Sequence, residues 1–183
     1  MGYEIAINKA WEELDKLSKD KTLSLKFLAD EYAVDLGDRK VLSLACNVPA
    51  RDFTVIIILH YLTQKLKGLP KSTGEWLSFK ELSGVEGYLP AFRKRSIEPI
   101  IRKYGQHPET LLSVLDRLPA KRVNQGDVGI VLEAFAEVPV LITLWRGDDE
   151  FGPEANILFD KSITKIFCTE DIVVLAGIIA AGI

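Results

Sequence analysis

PVLITLWRGDDEFGPEANILFD, Pro139 to Asp160, is the stretch whose reading decides the fold. Val140 to Arg146 has the apolar, β-branched character of a strand. It ends at Gly147, an acidic cluster follows at Asp148-Asp149-Glu150, and Phe151-Gly152-Pro153 turns the chain. Asn156 to Asp160 then resumes a strand pattern. Immediately upstream, Val128 to Ala136 alternates, with Val128, Ile130 and Leu132 on one side. With Val138-Pro139 as the turn, these runs read as an antiparallel hairpin leading into the acidic loop and a further strand.

Working outward, a second meander lies near the start. Leu23, Leu25 and Phe27 alternate with polar residues, as do Tyr32 and Val34, and Gly37-Asp38 introduces Val41 to Leu44. Before it, Glu4 to Lys19 places Ile7, Trp11, Leu14 and Leu17 near one helical face. After it comes DFTVIIILHYLTQKLKGLP from Asp52. The run Val55 to Ile58 would suit a buried strand. Its length and its ending decide for a helix, because Lys65 and Lys67 precede Gly68 and Pro70 follows. Apolar residues lie all round it, so the helix is expected to be central and nearly enclosed.

Pro70 to Gly87 is a turn-rich connection holding Trp76 and Phe79. Ser96 is placed to cap a helix from Ile97 to Tyr104, with Pro99 in its first turn. Pro108 opens another helix ending near Leu118. Thr164 to Phe167 reads as a short strand, and Thr169 as the cap of a final helix. The fold class is therefore α+β. A single domain over residues 1–183 has two antiparallel meanders forming one sheet, packed against the Asp52–Lys67 helix and the C-terminal helix.

Composition narrows the function. The chain has 183 residues, 48% of them apolar and 27% charged, which suits a globular protein with a real core. A net charge of −3 and one short basic run, Arg93-Lys94-Arg95, argue against nucleic acid. Cys46 and Cys168 form no CxxC pair or disulfide framework. The opening MGYEIAINKAWEEL has no secretory leader pattern, and Ala6 breaks the myristoylation pattern that begins at Gly2. The expectation is a cytoplasmic protein with reduced thiols and no membrane span. Ile172 to Ile183 is uncharged but too short to cross a bilayer. It reads as a buried helix, with a homo-oligomer contact as the second reading.

Several motifs, taken in order, resemble a known family. They are EYAVDL at Glu31 to Leu36, LHYL in the central helix, and GEWLSFKEL at Gly74 to Leu82 with Tyr88 and Phe92 behind it. LWRGDDEFGPEANILFD at Leu144 to Asp160 and TEDIVVL near the end complete the set. The chain resembles domain-of-unknown-function family 3786 over nearly its full length. The resemblance implies a setting in anaerobic prokaryotes and no established activity. Some members of that family carry a cysteine-rich iron–sulfur module, for which two cysteines cannot supply the ligands. Gly152-Pro153 stands where many members have paired prolines.

Two constellations are candidate sites. In the first, Asp148, Asp149 and Glu150 offer oxygen ligands to a hard cation, although their spacing is not that of an EF-hand loop. The same residues also read as a solvated turn, with Asp148 holding backbone N–H groups. Trp145 and Arg146 would suit a planar or anionic ligand, but alternation sets them on opposite faces of the sheet. In the second, Trp76, Tyr88, Arg93 and Arg95 read either as a pocket lid or as aromatic staples on the core. No nucleophile elbow, phosphate-binding glycine loop or metal-ligand spacing is present, so no catalytic residue, metal or cofactor is assigned. The expected function is non-catalytic ligand binding, or an accessory role, in anaerobic metabolism. It would act through a pocket between the Trp76 connection and the Trp145–Glu150 loop, with a small molecule or a partner protein as its counterpart. The alternatives are a carboxylate- or metal-dependent enzyme using Asp148 to Glu150, and an interaction subunit.

Overall fold

The hairpin turns show how local chemistry shapes the first part of the chain. Leu28, Arg39 and Asn47 each take a positive φ where one strand folds back on the next, as tight antiparallel connections require. The structure is a computed structural model that describes residues 3–183. The leader and myristoylation readings turn partly on residues 1–2, which lie outside the described residues.

Two compact units divide the chain, residues 1–70 and 71–183. In the first, helix α1 (Glu4–Leu17) precedes strands β1 (Thr22–Phe27), β2 (Asp30–Asp35), β3 (Lys40–Ser43) and β4 (Val48–Pro49). These form one antiparallel sheet in that order. Helix α2 (Asp52–Lys67) follows. Its buried residues include Thr54 to Leu59 and Tyr61 to Thr63, so nearly its whole circumference is covered. Ala10, Trp11 and Leu14 make the buried stripe of α1, which packs against α2. Gly68, at φ +104°, ends α2 where the sequence signals placed the stop.

The second unit is built on a five-stranded antiparallel sheet in the order β5-β9-β8-β7-β6. Its strands are β5 (Trp76–Ser78), β6 (Ala120–Val123), β7 (Val128–Phe135), β8 (Val138–Trp145) and β9 (Glu154–Asp160). Strand pairing aligns Ile130, Ile142 and Ile157 across three strands, and Leu132, Val140 and Phe159 beside them. All six are at most 2% exposed, so this face is the core. Phe92 meets Phe159 edge-on at 6.4 Å and stacks on Phe79 at 4.2 Å, which seats the following helix on the β9 end of the sheet. That helix runs as α3 (Leu89–Phe92), a π turn (Arg93–Ile97) and α4 (Glu98–Tyr104). A 3-10 helix spans Pro108–Asp116, and α5 (Thr169–Gly182) ends the chain. The fold is mixed α+β, as expected. Among the described residues, no helix is long and apolar enough to cross a membrane.

Several local expectations are corrected. The two meanders do not join into one sheet but form separate four- and five-stranded sheets. Ser96 caps nothing; it is fully buried inside the π turn. The wider turn carries the helix across Pro99, which has no N–H and whose ring crowds the carbonyl four residues back. Thr164 to Phe167 is not a strand, since a 3-10 turn, Lys161–Lys165, follows Asp160. Cys168 rather than Thr169 holds the cap position of α5, and the Thr169 hydroxyl donates instead to the Ser83 carbonyl.

Candidate functional site

Strand register decides whether the two sequence candidates can share a cleft. Trp76 pairs with Asp160 at one end of β9, and Trp145 pairs with Glu154 at the other. Six residues of extended chain separate the pairs by about 20 Å. The expected pocket between the Trp76 connection and the Trp145–Glu150 loop is therefore not assembled. Tyr88 is fixed elsewhere, its hydroxyl donating to Glu170 Oε1 at 2.5 Å. Arg93 lies 3.7 Å from Glu98 on the exposed side of the π turn. Arg95 is exposed where the π turn packs on α5 at Gly177. The aromatic part of the connection is a staple, with Phe79 stacked on Phe92.

The acidic loop does border a cleft. Arg146 to Pro153, with Gly105 and Gln106, line a volume of about 440 Å3. Asp148 is committed to the loop itself. Its Oδ1 accepts the Glu150 N–H at 2.9 Å and the Phe151 N–H at 2.7 Å. Those N–H groups, Phe151 first, hold its carboxyl below the usual carboxylate range. Arg146 pairs with Glu109 at 3.0 Å, and Trp145 is 37% exposed at the end of its strand. Asp149 and Glu150 remain exposed on the rim. Among the described residues, no three His, Cys, Asp or Glu side chains group as metal ligands.

No sequence pattern marks Asp160, a carboxylate held by five donors. Asp160 is 1% exposed. It accepts from the Ser72 hydroxyl, the Thr73 N–H and hydroxyl, and the Gly74 and Ser162 N–H groups, at 2.7–3.0 Å. Burial alone would push its carboxyl up. The donors of Thr73, Ser162 and Ser72 outweigh that and hold it far below the usual range. With its oxygens so occupied, Asp160 pins the Ser72–Gly74 turn to the end of β9 and is not a base.

An apolar groove in the first unit was also missed. Ile7 and Trp11 of α1, Ala33 of β2, Val41 and Leu42 of β3, Pro49 of β4 and Val55 of α2 make its walls. Its volume is about 420 Å3, and Thr22, Asp35, Arg39, Lys40 and Asp52 bring polar groups to it. Apolar walls of this size with a few polar groups are the ordinary make-up of a small-molecule site. Every wall residue also has the composition of core. The sequence shows that a residue is apolar, not that its neighbours leave space beside it.

The two thiols lie apart from both clefts. Cys46 and Cys168 are free and exposed. The Cys168 thiol is pushed up, first by desolvation and also by Asp171, which disfavours the reactive thiolate. The apolar side chains Ile172, Val173, Leu175, Ala176 and Ile179 of α5 are covered within the chain, leaving Val174, Gly177 and Ile178 half-buried.

Residues 13–181 match the model of a family described as a domain of unknown function (DUF3786), and the chain belongs to that family. No curated protein and no solved structure matches it.

Proposed function

We propose that this member of the DUF3786 family is a non-catalytic ligand-binding module, and that the groove walled by α1, β2–β4 and α2 is its binding site. One observation carries the reading: an apolar space of about 420 Å3 opens beside a polar rim within a folded unit. The disposition of the other polar residues supports it. Asp148 holds its own loop, Asp160 a turn, Tyr88 pairs with Glu170 and Arg146 with Glu109. The carboxylate–metal alternative has less support, because Asp148 is engaged in its turn and no ligand triad forms among the described residues. The setting proposed for it is anaerobic metabolism, as the resemblance implies.

The test uses the neutral dye N-phenyl-1-naphthylamine, which brightens in apolar sites. Saturable uptake at one site per chain is expected. Ala33→Phe, which fills the groove from a half-buried position on β2, should abolish uptake while leaving far-UV circular dichroism unchanged. Equal uptake by a folded Ala33→Phe variant would remove the groove as the site.

A further inference from the structure

We infer that the groove takes a small organic anion, an aliphatic or aromatic body bearing one carboxylate. The inference rests on the binding reading above and adds the sign of the ligand's charge. The walls, Trp11, Leu42 and Val55 among them, call for an apolar body. The mouth calls for a negative head. Arg39 and Lys40 are consecutive, and both line the groove. Their partners, Asp15 and Asp38, each at 3.0 Å, do not line it. All four side chains are 37–72% exposed. Pairs that exposed are weak and exchange partners readily, so a carboxylate in the groove can compete for the same cations.

Two acidic groups, Asp35 and Asp52, also line the groove, and each lies beside local positive potential, Asp35 opposite Lys40 in the strand pairing. Asp35 Oδ1 accepts the Asp38 N–H at 2.9 Å. Asp52 sits in the first turn of the 16-residue helix α2, where the helix dipole is positive. Arg51 at the cap position of α2 makes no side-chain capping bond. Arg39 also takes φ +51°, a left-handed conformation that glycine or asparagine adopts more readily. A glycine there would relax the turn but remove a cation from the mouth.

Displacement of N-phenyl-1-naphthylamine from the full chain at neutral pH separates the two claims. Decanoate, decanol and decylamine share one alkyl body and differ in the head group. Decanoate is expected to displace the dye at a concentration about fivefold lower than decanol, the size that an exposed ion pair supports. Decylamine should be weakest. The double variant Arg39→Gln, Lys40→Gln should lose the preference but keep the dye, and Lys26→Gln, outside the groove, should keep both. If the double variant fails to fold, Arg39→Gln alone is expected to narrow the preference. Should decanol or decylamine compete as well as decanoate while the dye binds, the groove stands and the anion inference falls. No dye uptake, with no decanoate effect on Trp11 emission in a Trp76→Phe, Trp145→Phe background, overturns both. A groove indifferent to decanoate that captures an apolar peptide would be a protein-docking site, and the small-molecule inference falls.

Discussion

A carboxylate that is 1% exposed is costly to bury unless hydrogen bonds replace its water, and Asp160 has five donors. Asp160→Asn keeps the shape but removes the charge and turns an amide N–H2 toward those donors. A loss of about 3 kcal/mol is expected in urea unfolding at neutral pH; an unchanged midpoint would refute the role. The pH dependence has a definite sign. The folded carboxyl lies below its unfolded value, so its stabilisation is complete above the ordinary carboxylate pKa near 4. It is lost as pH falls through that value toward the lower folded one, and Asp160→Asn should flatten that part of the acid limb. Sequence distance explains why Asp148 was legible and Asp160 was not. Asp148 bonds residues two and three positions away, a local turn with a residue signature. The side-chain and backbone donors of Ser72 to Gly74 lie 86–88 positions from Asp160, and only strand pairing reveals them.

Elements with local start and stop signals were readable. Helix α2 follows from its cations, glycine and proline, and the β7–β8 hairpin follows from alternation, although its turn falls at Ala136-Glu137 and Val138-Pro139 already belongs to β8. The joining of sheets was not readable, because each meander satisfies its own pattern whichever neighbour it takes. The π turn escaped for a related reason, as nothing in RKRSI marks a helix with more residues per turn. The groove is a property of how α1, α2 and the strands meet, so no one segment announces it. The acidic loop, in turn, depends on a close approach to a helix end. A Cβ on Gly105 would lie 2.5 Å from the Ile101 carbonyl and 2.8 Å from Pro153 Cγ. Gly105→Ala is expected to cost about 1–3 kcal/mol by overpacking. It should also quicken amide exchange at Glu150 and Phe151, read by hydrogen–deuterium exchange. Exchange at the parent rate would mean that the loop does not lean on that glycine.

For the whole molecule, the family match runs through the boundary at Pro70 and so takes in both compact units. Net charge and hydropathy act at this scale too. With 26 acidic against 23 basic residues and a pI near 5.5, self-repulsion is small and vanishes in mildly acidic buffer. Solubility measured from pH 4.5 to 8 should pass through a minimum near pH 5.5; a minimum well above neutrality would contradict a charge distribution read from the sequence. The pairing of β5 with β9 has a further consequence, during synthesis. Trp76 waits for a partner 84 positions downstream, and a ribosome adds about 5–20 residues per second. For on the order of ten seconds the nascent chain presents an unpartnered Trp-Leu-Ser edge, a window in which a chaperone would find it before the fold does.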